Sequence, residues 1–92
     1  MKVKVVYMTQ VKAALGLPDE LLEVQSPCTS RDLMLQLANI HGDKFRQLVV
    51  DDQGKLLPSI LLCIGDKQIG SDQAVELKEG DEMTILSAIS GG

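Results

Sequence analysis

Residues 29–42 read TSRDLMLQLANIHG and carry the strongest helix signal in the chain. Thr29 is a residue type that caps helix N-termini, and Asp32 stands at the third helical position, where its carboxylate can bond back to the cap. Gly42 supplies a left-handed stop. His41, the only histidine, falls in the last turn, where we expect its side chain to cap carbonyl groups. The segment therefore predicts one helix with both ends marked.

The apolar residues of this helix recur with helical spacing. Leu33, Leu37 and Ile40 form a stripe at i, i+4 and i+7, and Met34 and Ala38 widen it. A helix with one apolar stripe must bury that stripe against another layer of structure. We therefore expect this helix to lie across a sheet.

The segments before the helix predict two strands that pair as neighbours. Residues 2–8 alternate, which places Val3, Val5 and Tyr7 on one face. Val6 and Met8 indicate that the second face also becomes covered. A short helical turn over 9–15, stopped by a glycine and a proline, leads to the second predicted strand at 21–25.

Short apolar runs after the helix predict further strands at 48–50, 60–64, 67–69 and 82–87. The order strand, strand, helix, strands is typical of an α+β domain with one main helix packed on a mixed sheet. A long crossover through the helix allows the first and last strands to be parallel and central. The chain would then leave the sheet from the end of a central strand.

Length and charge narrow the function classes. A chain of 92 residues has room for one domain, residues 1–92, with an aliphatic core. The formal net charge of -4 and the lack of a basic cluster argue against nucleic acid as a partner. The start of the chain lacks the apolar region of a signal peptide, and no run is long enough to span a bilayer. We therefore expect a cytoplasmic protein with no membrane partner.

Residues that could carry catalysis are few. Cys28 precedes the helix, where backbone amides can lower a thiol pKa, but no base is placed to activate it, so a structural role is favoured. Cys63 lies in an apolar run and is expected to be buried. Acidic pairs such as Asp51-Asp52 stand in turns and predict no metal site. The sequence thus predicts a protein that is not itself an enzyme and binds no cofactor.

The chain ends in Ser90-Gly91-Gly92, soon after the last predicted strand. Glycines lack a Cβ atom and can lie extended in a narrow channel, but they lose much backbone entropy when they become ordered. We therefore expect residues 88–92 to form a flexible tail that orders only inside a partner. The alternative is a frayed terminus without function, because chain ends are often disordered.

The start KVKVVYMTQVK at 2–12 and the segment LKEGDEMTIL at 77–86, followed by the terminal diglycine, resemble the MoaD/ThiS family of ubiquitin-like sulfur carriers. The resemblance covers the whole chain and implies a β-grasp fold. It also implies that an ATP-dependent activating enzyme adenylates Gly92 and that sulfur transfer then gives a thiocarboxylate, with Gly91 and Ser90 in the partner's channel. Ser87 departs from the family, where many members carry a proline after the last strand.

The resemblance implies that the sulfur goes to cofactor biosynthesis, first of all to molybdopterin through the large subunit of molybdopterin synthase. Carriers for cysteine, thiamine or tRNA thiolation are alternatives. A further alternative from a different class is a ubiquitin-like modifier joined to lysines of target proteins. Each of these functions needs the same free tail, so the residues alone leave them open.

The last strand also predicts a docking surface. Alternation lets only one set face outward, either Thr84 and Leu86 or Met83 and Ile85. An exposed aliphatic patch ringed by charge usually marks a protein interface. We expect the partner to bind Thr84 and Leu86, together with Ile89 near the tail.

Overall fold

The structure, a computed structural model, describes residues 1–53, 55–70 and 73–87. The predicted flexible tail at 88–92 lies outside the described residues. The elements follow the chain in the order β1 (Lys2–Tyr7), α1 (Thr9–Leu15), β2 (Asp19–Glu23), α2 (Ser30–His41), α3 (Asp43–Val49), β3 (Ile60–Ile64), β4 (Lys67–Ile69) and β5 (Glu82–Ser87).

The five strands form one mixed sheet in the order β2-β1-β5-β3-β4. β1 and β5 are parallel neighbours, with Val5 beside Met83. β2 pairs antiparallel with β1, and β3 pairs antiparallel with both β4 and β5. A parallel pair needs a long crossover, which here includes α2. The prediction that the first and last strands are parallel and lie inside the sheet is confirmed.

One face of this sheet carries the core. The inward side chains of β1 alternate with outward ones, and those of β5 do the same, so both strands bury every second residue. Two leucines on α2 are fully buried in the same apolar cluster. The residues at the centre of this cluster are Val3, Val5, Tyr7, Leu33, Leu37, Met83 and Ile85, each at most 1% exposed.

The predicted start of α2 is confirmed in detail. The Thr29 hydroxyl accepts the backbone N–H of Asp32 at 3.1 Å, and the Asp32 carboxylate accepts the backbone N–H of Thr29 at 3.0 Å. This capping box satisfies two amide donors that the first turn of the helix leaves without partners. Gly42 ends the helix as predicted, but its φ of 69° and ψ of -141° are not the left-handed helical conformation that the sequence suggested.

The assignment of Ile40 to the buried stripe is wrong, because 55% of its surface is exposed. Residues advance by about 100° around a helix. The buried positions of α2 are centred on a direction that passes through His41, and Ile40 lies about 90° away from it. The i, i+4 relation of Leu33 and Leu37 was sufficient to find the face, whereas the i+7 position drifted out of it.

The strand predicted at 48–50 is also wrong, because residues 43–49 form α3. Phe45 and Val49 are both fully buried and lie four residues apart, so a helix turns both towards the core. Packing of these two side chains outweighs the β-propensity of two successive valines. Val50 alone contributes a single β-bridge, to Leu56.

Two smaller boundaries differ from the prediction. β2 begins at Asp19, two residues earlier than expected, and its ladder with β1 ends at Glu23, beyond which Val24 still donates its N–H to the Met1 carbonyl at 2.8 Å. Met8 is 47% exposed, so the outer face of the sheet is not covered at that position.

The short helix predicted at 9–15 is confirmed as α1. The turn at Gly16, with a φ of 75°, ends α1 as predicted.

Candidate functional site

A tight turn at residues 78–81 leads directly into β5. Gly80 has a φ of 84°, and the Asp81 carboxylate accepts the backbone N–H of Lys78 at 2.7 Å, which closes the turn. Asp81 also accepts the N–H of Lys4 through its carbonyl at 2.9 Å. The glycine and the aspartate of the sequence motif therefore fix where β5 enters the sheet beside β1.

The alternation of β5 answers the question that the sequence left open. Met83 and Ile85 are fully buried, so Thr84 and Leu86 are the side chains that face away from the core. Of the predicted partner-binding residues, these two thus share one face. Ile89, Ser90, Gly91 and Gly92 lie outside the described residues.

Half-buried apolar side chains from three strands meet around Thr84 and Leu86. Thr84 lies between Val6 of β1 and Cys63 of β3 in the register, and Leu86 lies opposite Leu61. We name these five residues the outer patch. Leu21 of β2, on the same face, is 65% exposed. A partly exposed apolar cluster on a sheet face is a candidate protein interface.

Charged residues border the outer patch on the β1 and β2 side. Lys4 lies beside Glu82 in the parallel ladder, and Lys2 lies opposite Glu23 in the antiparallel one. All four are exposed and point to the same side as the outer patch. Mixed charge around an apolar centre is the usual composition of an interface rim.

A polar cluster that the sequence analysis missed connects β1, β2 and α2. The Tyr7 hydroxyl donates to the Glu20 carboxylate at 2.5 Å, and His41 Nε2 contacts the same oxygen at 2.5 Å. The His41 ring meets Tyr7 edge to face and stacks on Phe45. His41 therefore does not cap the helix as predicted, because its position at the centre of the buried face of α2 directs it towards Glu20.

One signal for this cluster was present in the sequence. Glu20 occupies an inward position of β2, opposite Val5, where an apolar residue is usual. Burying a carboxylate there is unfavourable unless hydrogen-bond partners surround it. Tyr7 and His41 supply those partners. We therefore interpret the cluster as one that stabilises the fold between the sheet and α2.

Burial raises the pKa of the Tyr7 hydroxyl above its usual value, and the hydrogen bond to Glu20 and the charge of Glu20 raise it further. A tyrosine titrates near pH 10 in an unfolded chain, so above that pH the unfolded state loses a proton that the folded state keeps. We therefore expect the free energy of unfolding to fall as pH rises beyond about 10, by up to about 1.4 kcal/mol per pH unit from this group.

The measurement is urea unfolding at several values between pH 8 and 11. Tyr7→Phe cannot ionise, so its stability should fall less steeply than that of the parent, although it starts lower because Glu20 loses a donor. If the free energy of unfolding fell equally steeply with pH in both proteins, Tyr7 would not be the cause of the loss of stability above about pH 10.

The cysteines differ in environment. Cys28 is 2% exposed, and burial, followed by the negative charge of Asp32, raises the pKa of its thiol. Burial, to which the charge of the capping carboxylate adds, thus opposes the lowering of the thiol pKa that a helix start would be expected to cause. Cys63 is half-buried in the outer patch, not fully buried as predicted.

The described part of the chain contains no candidate metal site and no candidate membrane-spanning helix. Within residues 1–53, 55–70 and 73–87, no group of three or more His, Cys, Asp and Glu side chains is arranged to hold a metal ion. The Asp51 carboxylate instead accepts the backbone N–H groups of Gln53 and Lys55 at 2.8 and 3.0 Å, as a turn residue does. The described helices include none that is long and apolar enough to cross a membrane.

Comparison with solved structures identifies proteins with the same fold. No family model matches the chain, and no curated protein does. Among solved structures, the chain is similar to small archaeal modifier protein 1 from Methanosarcina acetivorans, at 26% identity and a TM-score of 0.74, covering 99% of this chain and 96% of that one. The SAMP1 structure from Haloferax volcanii has 18% identity and a TM-score of 0.87, with both chains covered completely.

A third similar structure is the BexX/CysO complex from Amycolatopsis orientalis, at 25% identity and a TM-score of 0.70, covering 98% of this chain and 99% of that one. The structural neighbours are ubiquitin-like proteins of the sulfur carrier and modifier type. The predicted β-grasp fold and the resemblance to MoaD/ThiS-type proteins are therefore confirmed. The same neighbours are carriers or modifiers rather than catalysts.

Proposed function

We propose that this chain, a β-grasp protein similar to sulfur carriers and modifiers, is a sulfur carrier whose reacting group is the carboxylate of Gly92. One observation carries the proposal: β5, held between β1 and β3, ends at Ser87, and only three residues separate it from the diglycine. A tail that follows directly from an internal strand starts from a rigid base. Gly91 and Ser90 would then occupy the channel that leads to the partner's reaction centre.

The chemistry requires little of the chain itself. A carboxylate is a poor electrophile, so its oxygen first attacks the α-phosphate of ATP, which releases pyrophosphate and gives an acyl adenylate. A hydrosulfide-type nucleophile then adds to the carbonyl carbon and expels AMP, leaving a thiocarboxylate. ATP binds to the activating enzyme and not to this chain. The carrier supplies the substrate carbon and a surface by which it is recognised.

The outer patch is the surface that we assign to recognition by the activating enzyme and by the sulfur-accepting synthase. Leu86 and Thr84 lie near the point where the tail begins, and Ile89 would extend the same surface. Binding there would bring the tail close to the partner's channel. We propose a cytoplasmic location for the carrier, because ATP for the activation step is available there.

Leu86→Asp should weaken binding to the activating enzyme at least about tenfold while the domain stays folded, because an interface centre does not tolerate an unpaired charge. Ile85→Asp should unfold the domain, since it buries a carboxylate in the core. Leu35→Asp is the matched control, because Leu35 is 48% exposed on α2, away from the sheet. Calorimetric affinity and melting temperature report both effects. Normal binding by folded Leu86→Asp would remove the outer patch from the docking interface.

Intact mass spectrometry tests the proposed chemistry. After incubation with the activating enzyme, ATP and a sulfide source, the chain should gain the mass of one sulfur in place of one oxygen. A variant with both cysteines replaced by alanine should gain the same mass, because neither Cys28 nor Cys63 is the sulfur site. A chain that is never adenylated, or that carries sulfur only on a cysteine, would contradict the proposal.

The acceptor that we propose first is a molybdopterin synthase large subunit, which follows from the resemblance of the sequence. Its test is the conversion of a pterin precursor by the thiocarboxylated chain with that subunit. The similarity to the CysO complex supports a second acceptor, the cysteine pathway, which the same assay distinguishes when a cysteine synthase replaces the pterin enzyme.

A second candidate function is that of a protein modifier, favoured by the similarity to small archaeal modifier protein 1. Gly92 would then form an isopeptide bond with a lysine of a target protein. Digestion of cell extract should yield branched peptides that carry the C-terminal residues of this chain on lysine. Thiocarboxylate formation without any such peptides assigns the chain to sulfur transfer alone.

A further inference from the structure

Thr9 has an unusual backbone conformation beside the end of β5. Its φ is 56°, a positive value that no other non-glycine residue adopts within the described ranges. A β-branched side chain is disfavoured there, because its two Cβ substituents crowd the backbone. Such a conformation persists only where surrounding contacts hold it. Thr9 is also the first residue of α1, directly after the chain leaves the sheet.

The contacts that hold Thr9 all converge on its hydroxyl. The hydroxyl oxygen accepts the backbone N–H of Ser87 at 2.9 Å and lies 2.8 Å from the Ser87 hydroxyl. Its own proton can go to the Met8 carbonyl at 2.6 Å. A threonine hydroxyl offers one donor and two acceptor sites, so this arrangement uses all three.

The position of these bonds shows what they replace. The last backbone bond between the β1 side and β5 runs from the Met8 N–H to the Ile85 carbonyl, at 3.0 Å. Beyond it the chain turns into α1, and Ser87, which is only 8% exposed, meets no β1 backbone for its N–H. A buried N–H without a partner is unfavourable. The Thr9 side chain fills this place and extends the ladder to the last residue of β5.

We propose that Thr9 is a positioning residue that clamps Ser87 and so fixes the position and the direction of the last residue of β5, to which residues 88–92 are joined. This inference rests on the proposed function, because it gives the clamp a role in delivering Gly92. Five extended residues reach at most about 18 Å. If β5 frayed at Ser87, the origin of this short tail would shift, and the carboxylate would reach the adenylation centre less often in a reactive position.

The expected signature is a change in the rate of adenylation without a change in docking. Thr9→Ala should lower kcat for pyrophosphate release by about tenfold or more, since misplacement by about 1 Å can cost a hundredfold. Its KM should match that of the parent, because the outer patch is unaltered. Thr9→Ser keeps the hydroxyl and should restore kcat. Thr9→Gly removes the strain together with the hydroxyl, so it should fold at least as well as Thr9→Ala and still be slow.

Hydrogen exchange of the Ser87 amide tests the clamp without any enzyme. The exchange should be about tenfold faster in Thr9→Ala and Thr9→Gly than in the parent, and close to the parent in Thr9→Ser. The Ile85 amide, farther inside β5, serves as the internal control and should not change. Equal Ser87 exchange in the parent and Thr9→Ala would overturn the clamp, whatever the function of the chain.

The two measurements separate the clamp from the proposed function. Faster exchange combined with unchanged kcat in Thr9→Ala would overturn the positioning role while leaving the sulfur-carrier proposal intact. A parent protein that the activating enzyme never adenylates would overturn the proposed function, and the positioning role with it. Faster exchange and a lower kcat, both reversed in Thr9→Ser, is the combination that supports the inference.

Discussion

Removal of Gly92 is expected to abolish adenylation and thiocarboxylate formation while leaving the melting temperature unchanged. The deletion leaves the carboxylate of Gly91, which is chemically equivalent but ends about 3.5 Å short of the position that the carboxylate of Gly92 would reach in the partner's channel. Among the described residues, the core consists of side chains from the sheet, the three helices and the segments between them, and the deletion removes none of these. Pyrophosphate release and intact mass measure the loss of function, and thermal unfolding measures the fold.

Substitutions of the two residues before Gly92 should reduce activation to different extents. Gly91→Val places a β-branched side chain where the proposed channel accepts only a backbone, so activation should fall nearly as far as in the deletion. Ser90→Ala is the matched control, because Ser90 already carries a Cβ atom and alanine adds no bulk. A truncated chain that is still adenylated and sulfurated would disprove the role of Gly92.

Leu37→Ala is expected to lower the free energy of unfolding by about 2 to 5 kcal/mol, because it leaves a cavity beneath the centre of the sheet. Leu37 is fully buried on α2. In a domain of this length such a loss lowers the melting temperature by at least about 8 °C. Urea and thermal unfolding measure it directly.

Ile40→Ala on the same helix is the matched control. Ile40 is 55% exposed, so removing its side chain should change the stability by no more than about 0.5 kcal/mol. The helix propensity of alanine offsets part of any loss. If the two variants were equally stable, the orientation of α2 on the sheet would be wrong.

Local sequence patterns were sufficient for much of the fold. The alternation of β1, the capping box at Thr29 and the turn glycines at 16 and 80 act within a few residues, and the structure confirms each of them. The resemblance to ubiquitin-like carriers added the β-grasp arrangement. The predicted site residues from Ile89 onward lie outside the described residues and remain predictions.

The predictions from sequence were wrong where contacts between residues distant in the chain are stronger than local preferences. The valines at 49 and 50 favour a strand locally, but burial of Phe45 and Val49 on one helical face against the core makes this segment α3. His41 is a plausible cap for its own helix, yet Glu20, which is 21 residues away, takes its side chain. Neither outcome can be calculated without knowing which elements pack together.

The sequence by itself determined β1, the strands from β3 to β5, the ends of the main helix and the motif that precedes the diglycine, because capping, turn formation and periodicity depend on adjacent residues. Only the tertiary structure decided that Thr84 and Leu86 face outward and that Thr9 meets Ser87, which is 78 residues away. The physical reason is that a strand with period two has two equivalent faces until a helix covers one, and α2 covers the face of Met83 and Ile85.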